Sequence, residues 1–278
     1  MKLFKLHHGI GIERKQRVYI LEHEGWDEFV NDDNLAGKIR DVVHALKPVE
    51  GGREMILTSL EAPIQSQELW ASGVTYKRSK VGRQEESKNA GGGDFYARAY
   101  EAERPELFFK STKHRIVGHG EFVRIRKDSV WNVPEPELTL MITSSASIVG
   151  YTIGNDMSSR SIEGENPLYL PQAKTYDGCA SLGPCIYVPE GEAPKDILIQ
   201  MEVARKGAKV FEGSVSFAHM TRTPEKLVSF LYRECTFPHG SLLMTGTGIV
   251  PTSDFTLEIG DRIQITIEPI GTLENTVV

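Results

Sequence analysis

Residues 131–142 read WNVPEPELTLMI, and what that stretch becomes decides how the rest of the chain is understood. Two glutamates stand one residue apart at the mouth of a mostly apolar run, with a proline on each side of the first. Alternate residues of a strand face the same way, so Glu135 and Glu137 project on one side, roughly 6–7 Å apart at their bases. Pro136 keeps Glu135 extended, because a residue before proline avoids the helical region. It also removes a ladder donor, which suits a strand edge or a bulge.

The chain then runs TSSASIVGYTIGND, which predicts a hairpin turning at residues 144–147. With the turn centred there, Ile142 faces Val149 and Glu135 faces Asp156. Three carboxylates would share one patch. Like charges directly opposite destabilise a sheet, so the arrangement makes best sense around a cation. A slip of one residue would turn Asp156 to the other face. An all-oxygen, carboxylate-rich set without His or Cys selects a hard ion: Mg²⁺ first, with Mn²⁺ or Ca²⁺ as substitutes. Three side-chain ligands leave positions for water and a chelating substrate. A solvated acidic strand face is the alternative reading of the same residues.

The 278 residues suffice for one large domain, or a large and a small one, around a sizeable core. A composition of 40% hydrophobic and 25% charged residues is that of a folded protein. The net charge of −6 argues against a nucleic-acid partner. No apolar run approaches the roughly 18–20 residues that cross a bilayer, so no membrane role is expected. The opening MKLFKLHHGIGIERK is too charged for a secretion signal. Cys179, Cys185 and Cys235 form neither a disulfide framework nor a metal clip. They fit a reducing cytoplasm, as small core hydrophobes.

Residues 1–65 read as a small α/β unit: a strand near RVYILEH, then a helix carrying Leu35, Ile39, Val42, Val43 and Leu46, with Asp33 as N-cap. Residues 66–278 read as the catalytic, metal-binding domain, mostly strands. ILIQMEVAR and KVFEGSVSF flank a Lys-Gly-Ala turn, and DRIQITIEPI alternates near the end. One helix interrupts them, with Thr223 as N-cap and Pro224 at its first position. The polar segment 77–104, with Gly91–Gly93 as a hinge and a helix capped by Asp94, reads as an active-site lid or as a solvated surface excursion.

Glu135 and Glu137 in the strand, Asp156 in GYTIGNDMSSR and Lys174 in LPQAKTYDG together resemble the fumarylacetoacetate hydrolase superfamily. The likeness runs over about residues 70–278 and more weakly through the N-terminal unit. RPELFFKST, VGHGE, PEPEL, ENPLYLPQAKTY, FEGSV and TGTGIVP resemble its 2-keto-3-deoxy-D-arabinonate dehydratase branch. The resemblance implies an α+β fold, a mixed β-roll catalytic domain with a small N-terminal domain, assembled as a homodimer or homotetramer. It implies that Glu135, Glu137 and Asp156 hold Mg²⁺, that Lys174 reaches the substrate, and that Thr247 helps bind its carboxylate. Backbone N–H groups of a Gly-rich turn favour anions in any case, although TGTG by itself reads as a tight turn. Hydrolases of the superfamily activate water with a His where this chain has SGVTYKRSK, ending Lys77, Arg78, Ser79 and Lys80. His114 and His119 lie further on, at positions that look structural.

The implied substrate is a 2-keto acid, chelating Mg²⁺ through its carboxylate and C2 carbonyl. Removing a C3 proton gives a stabilised enolate, loss of the C4 hydroxyl follows, and tautomerisation yields 2,5-dioxopentanoate. A second positive charge disfavours the Lys174 ammonium, so Lys174 can serve as the C3 base; kept protonated, it stabilises the enolate. Glu106, in RPELFF, is the candidate for assisting departure of the C4 hydroxyl, or else a surface carboxylate. Glu163 is a candidate holder of a substrate hydroxyl. Two alternatives stand beside the dehydratase: a C–C hydrolase of acylpyruvates or 2,4-diketo acids, and a non-catalytic protein that binds metal and sugar acid.

Overall fold

The computed structural model describes residues 1–79, 98–192 and 197–278. The expected lid, with Gly91–Gly93 and Asp94, falls mainly on residues 80–97 and so lies outside the described residues. The first half of the chain supplies strands β1 (Lys2–Leu6), β2 (Gly9–Arg14), β3 (Arg17–Glu22), β4 (Glu68–Gly73), β5 (Glu106–Thr112), β6 (Ile116–Val117), β7 (Phe122–Val123) and β8 (Asn132–Val133). The second supplies β9 (Pro136–Ile142), β10 (Ile148–Asp156), β11 (Ser158–Ser159), β12 (Ala180–Tyr187), β13 (Leu198–Arg205), β14 (Ala208–Ser216), β15 (Ser241–Met244), β16 (Arg262–Ile267) and β17 (Gly271–Val277).

A large mixed sheet runs β3-β2-β1-β12-β10-β9-β15-β4-β5, with β6 beside β12, and a second sheet runs β14-β13-β16-β17-β7. Strands dominate and helices are few, which fits the expected mixed β-roll. The alternation of β9 explains how the sheets are layered. Leu138, Leu140 and Ile142 face the second sheet and the helix Pro224–Leu231, while Met141 joins the core under the N-terminal helices. Glu135, Glu137 and Met141 are odd-numbered, so the glutamates emerge on the N-terminal side of the sheet.

The N-terminal stretch holds more strand than the sequence suggested. Three strands form a meander, and β1 pairs with β12 in the large sheet. The turn between β2 and β3 puts Lys15 and Gln16 at φ 50° and 64°, so the usual Asn-Gly signature of a tight hairpin is missing. The helix Leu35–Ala45 forms with Leu35, Ile39 and Val43 buried, but Asp33 does not cap it. Its Oδ1 accepts from Thr143 and Ser145 hydroxyls at 2.5 Å each, tying that unit to the β9–β10 turn. Thr223 does cap its helix, accepting from the Lys226 N–H at 3.3 Å. Cys179 and Cys185 are buried, and burial pushes the Cys185 thiol up to about 12; Cys235 is exposed, against expectation.

The β9–β10 hairpin has the expected register on the ligand side, from Gly150↔Met141 to Asn155↔Pro136. Nearer the turn Ile142 pairs with Ile148 and not with Val149, because the register shifts between Ile148 and Gly150. One extra residue is absorbed as a bulge before the carboxylates are reached.

Candidate metal and active site

Asp156 N–H donates to the Glu135 carbonyl at 2.9 Å, which sets the two residues opposite each other. The reciprocal bond is made by a side chain: Glu135 N–H donates to Asn155 Oδ1 at 3.2 Å. Pro136, paired with Asn155, has no N–H to offer, so this amide clamp holds the strand end where the ladder is incomplete. Glu135, Glu137 and Asp156 each present one oxygen within 4.8 Å of the others. They are 4%, 2% and 1% exposed, which rules out the solvated acidic face.

Fixed groups of the chain hold the three carboxylates. Arg160 Nη2 donates to Glu135 Oε1 at 2.5 Å, and Gly246 N–H donates to Glu137 Oε2 at 2.5 Å. Lys110 Nζ, fully buried on β5, lies 2.6 Å from Asp156 Oδ1 as an ion pair outside ideal hydrogen-bond alignment. Lys110 also donates to the carbonyls of Met157, at 3.0 Å, and Lys174. Lys174 ends the short helix Leu170–Lys174. Its Nζ donates to Glu135 Oε2 at 2.6 Å, Asp156 Oδ2 at 3.0 Å and Ser158 Oγ at 2.5 Å.

The electrostatics separate the acids. Burial, then the charges of Asp156 and Glu135, raise Glu137 well above the usual carboxylate range. Burial acts the same way on Asp156, but Lys110 and Lys174 outweigh it and hold Asp156 below its ordinary value. A buried group of acids in which one is driven toward its neutral form is a site short of positive charge. All-oxygen donors of this kind fit Mg²⁺, and a divalent ion would supply the missing charge.

The expected site residues fall at different depths. Lys174, Thr247 and Ser79 wall the cavity over the triad, together with Gly73, Phe108 and Arg160. Thr247 is buried, and its hydroxyl both donates to and accepts from the backbone of Ile249, at 3.2 and 3.1 Å. The anion met by the Gly-Thr loop's N–H is Glu137 of the chain itself. Glu106 stands one layer back, its carboxylate against the spot where a side chain on Gly73 would begin. Glu163 is buried behind Arg160, its Oε2 3.8 Å from Arg160 Nε. His119 accepts from the Glu274 N–H at 3.1 Å and His114 bonds Thr112 at 2.8 Å, both structural contacts.

Sequence reasoning missed Lys110, Arg160, Asn155 and Ser158. All four lie inside the stretches RPELFFKST and GYTIGNDMSSR, which marked the region but assigned none of them a role.

Residues 70–278 match the family described as Fumarylacetoacetate (FAA) hydrolase C-terminal. The chain is 48% identical over 216 residues (77% of this chain, 73% of the other) to the "Probable 2-keto-3-deoxyxylonate dehydratase" of Haloferax volcanii. It is 44% identical over 213 residues (76% and 72%) to the 2-dehydro-3-deoxy-D-arabinonate dehydratase of Saccharolobus solfataricus. A solved structure of 2-keto-3-deoxy-D-arabinonate dehydratase, complexed with magnesium and 2,5-dioxopentanoate, superposes with a TM-score of 0.84 at 35% identity. That superposition covers 100% of this chain and 98% of the other. By sequence, fold and the carboxylate triad alike, the chain belongs to the fumarylacetoacetate hydrolase family.

Proposed function

We propose that the chain is a Mg²⁺-dependent hydro-lyase that converts 2-keto-3-deoxy-D-arabinonate to 2,5-dioxopentanoate. The observation that carries this reading is the buried triad with Lys174 among its oxygens. The same arrangement of chain superposes on a dehydratase holding magnesium and that product. Glu135, Glu137 and Asp156 would hold the ion, which when bound supplies Lewis-acid stabilisation of an enolate.

The remaining steps belong to the chain. Lys174, buried beside the triad, is placed to take the C3 proton. Glu106 then gives a proton to the departing C4 hydroxyl, so that water leaves and a C3–C4 double bond forms. Tautomerisation moves hydrogen from C5 and leaves the aldehyde. Thr247, in the cavity wall, helps bind the substrate carboxylate while the Gly246 N–H stays on Glu137, and Glu163 acts on a substrate hydroxyl through Arg160. Ser79 stands in the cavity wall and donates to the Tyr76 carbonyl at 2.8 Å; it offers no base for activating water. That favours dehydration over C–C hydrolysis.

Residues 1–65 are read as a small N-terminal domain and 66–278 as the catalytic domain. No helix among the described residues is long and apolar enough to cross a membrane. A cytoplasmic location is supported by the three free cysteines, which suit a reducing compartment. A homodimer or homotetramer is supported by the exposed Phe122, Ile259 and Val278, gathered by the β7–β17 pairing and the bond from Gly260 N–H to the Val277 carbonyl. Incubation with 2-keto-3-deoxypentonates and with an acylpyruvate, each with and without Mg²⁺, tests the function. Mg²⁺-dependent appearance of dioxopentanoate is expected. Release of pyruvate with the deoxy acids untouched would replace the dehydratase by the hydrolase.

A further inference from the structure

Each carboxylate of the triad has one oxygen engaged by a group that cannot easily leave. Glu135 Oε1 is held by Arg160, Glu137 Oε2 by the Gly246 N–H and Asp156 Oδ1 by Lys110. Lys110 is pinned from several sides, since its Nζ also serves two backbone carbonyls and its own carbonyl accepts from Thr175 Oγ1 at 3.0 Å. That leaves one oxygen per carboxylate for an ion: Glu137 Oε1, together with Glu135 Oε2 and Asp156 Oδ2, which Lys174 Nζ holds at 2.6 and 3.0 Å and must release.

Ca²⁺ gathers six to eight oxygens and commonly takes both oxygens of a carboxylate, whereas Mg²⁺ takes six in a tight octahedron and keeps several waters. A site whose carboxylates can each give only one oxygen suits the smaller ion. We infer that Lys110 and Arg160 are selectivity residues: by occupying Asp156 Oδ1 and Glu135 Oε1, they deny a large ion the two-oxygen grip it prefers. The inference rests on the ion-site reading above. It adds that ion choice is set by two cations outside the ligand set.

Calorimetric titration of the chelator-stripped full chain with MgCl₂ and with CaCl₂ tests it. Removing a positive charge strengthens binding of both ions, so the Ca²⁺-to-Mg²⁺ affinity ratio is the quantity read. Lys110→Met and Arg160→Met should each raise that ratio by about tenfold or more. An unchanged ratio in a folded variant overturns the role of the residue replaced. Should neither variant fold, crystals of the unmodified protein soaked in Ca²⁺ decide. One oxygen from each carboxylate at the ion is expected, and Asp156 or Glu135 gripping it with both oxygens overturns the inference. Failure of the unmodified protein to take up any divalent ion overturns the ion-site reading as well.

Discussion

Lys174 Nζ bridges Glu135 Oε2 and Asp156 Oδ2, at 2.6 and 3.0 Å, so an ammonium rests on two of the oxygens an ion would use. Lysine and ion therefore compete for those atoms until the lysine turns toward the substrate. Lys174→Met should lower kcat by about 10²-fold or more, the range of a lost acid–base group, while Mg²⁺ affinity holds or rises. Single-turnover kinetics beside a binding titration checks both halves. Near-normal kcat would remove Lys174 from the chemistry.

Stripping the ion should abolish turnover and lower the melting temperature. Restoring Mg²⁺ to about a hundred times its Kd should return about 2.7 kcal/mol. Glu137→Gln separates the two contributions. It relieves a carboxylate that burial and its neighbours already push toward neutrality, so the ion-free protein should melt no lower. The Mg²⁺-dependent rise should nevertheless disappear. Thermal melts of both proteins, with chelator and with Mg²⁺, provide the comparison.

Gly73 and Glu106 pair across β4 and β5, and a Cβ on Gly73 would land on the Glu106 carboxylate. Gly73→Ala should therefore push that flexible side chain aside at a cost within about 1 kcal/mol, well short of unfolding the enzyme. If Glu106 delivers the proton to the leaving hydroxyl, kcat should drop by about tenfold or more in Gly73→Ala and further in Glu106→Gln. Unchanged kcat in Glu106→Gln would confine the residue to structure.

Away from the site, Glu61 is the acid to watch. Burial raises it, but Lys5, His7 and Lys113 outweigh burial and bring it down to about 2 from 4.5. A depressed carboxylate contributes stability above its unfolded value, and that stability is lost as the pH falls from about 4.5 toward 2. Glu61→Gln should flatten this acid limb of the melting temperature and lower stability near neutrality. A limb that remains as steep would assign it to other carboxylates.

The ligand set was legible because a hairpin is local. Proline, alternation and a short turn put Glu135, Glu137 and Asp156 together within one stretch of chain. The groups that hold them were not legible: Asn155 and Arg160 lie beside Asp156 without any signature of that role, while Lys110 and Gly246 arrive from distant strands and turns. Lys110 follows Phe109, and alternation in LFFKST gives no sign that the lysine is the buried member and Phe109 the exposed one. Leu69 and Trp70 pair with Ser111 and Phe109, so Lys110 is the extra residue of a bulge in β5, which breaks the alternation there. Asp33 was misread because an aspartate before a helix looks the same whether it caps that helix or bonds a distant turn. The meander over residues 2–22 was only partly seen, because its turns use lysine, glutamine and histidine in place of the residues that announce a hairpin.

Every residue of β9 is buried, and so is nearly all of β10, with side chains packed on both faces. The segment that delivers Lys174 is different: Glu165, Leu168, Tyr169, Pro171 and Gln172 are exposed, Leu168 by 82%. Local opening is cheapest where few apolar contacts must break, so the two halves of the centre should breathe on separate clocks. Amide hydrogens of the hairpin should exchange only with global unfolding, while those around residues 165–172 exchange far sooner. The carboxylate cradle would thus persist through excursions in which the lysine is carried off its oxygens, giving an incoming cation its opportunity without any loss of the fold.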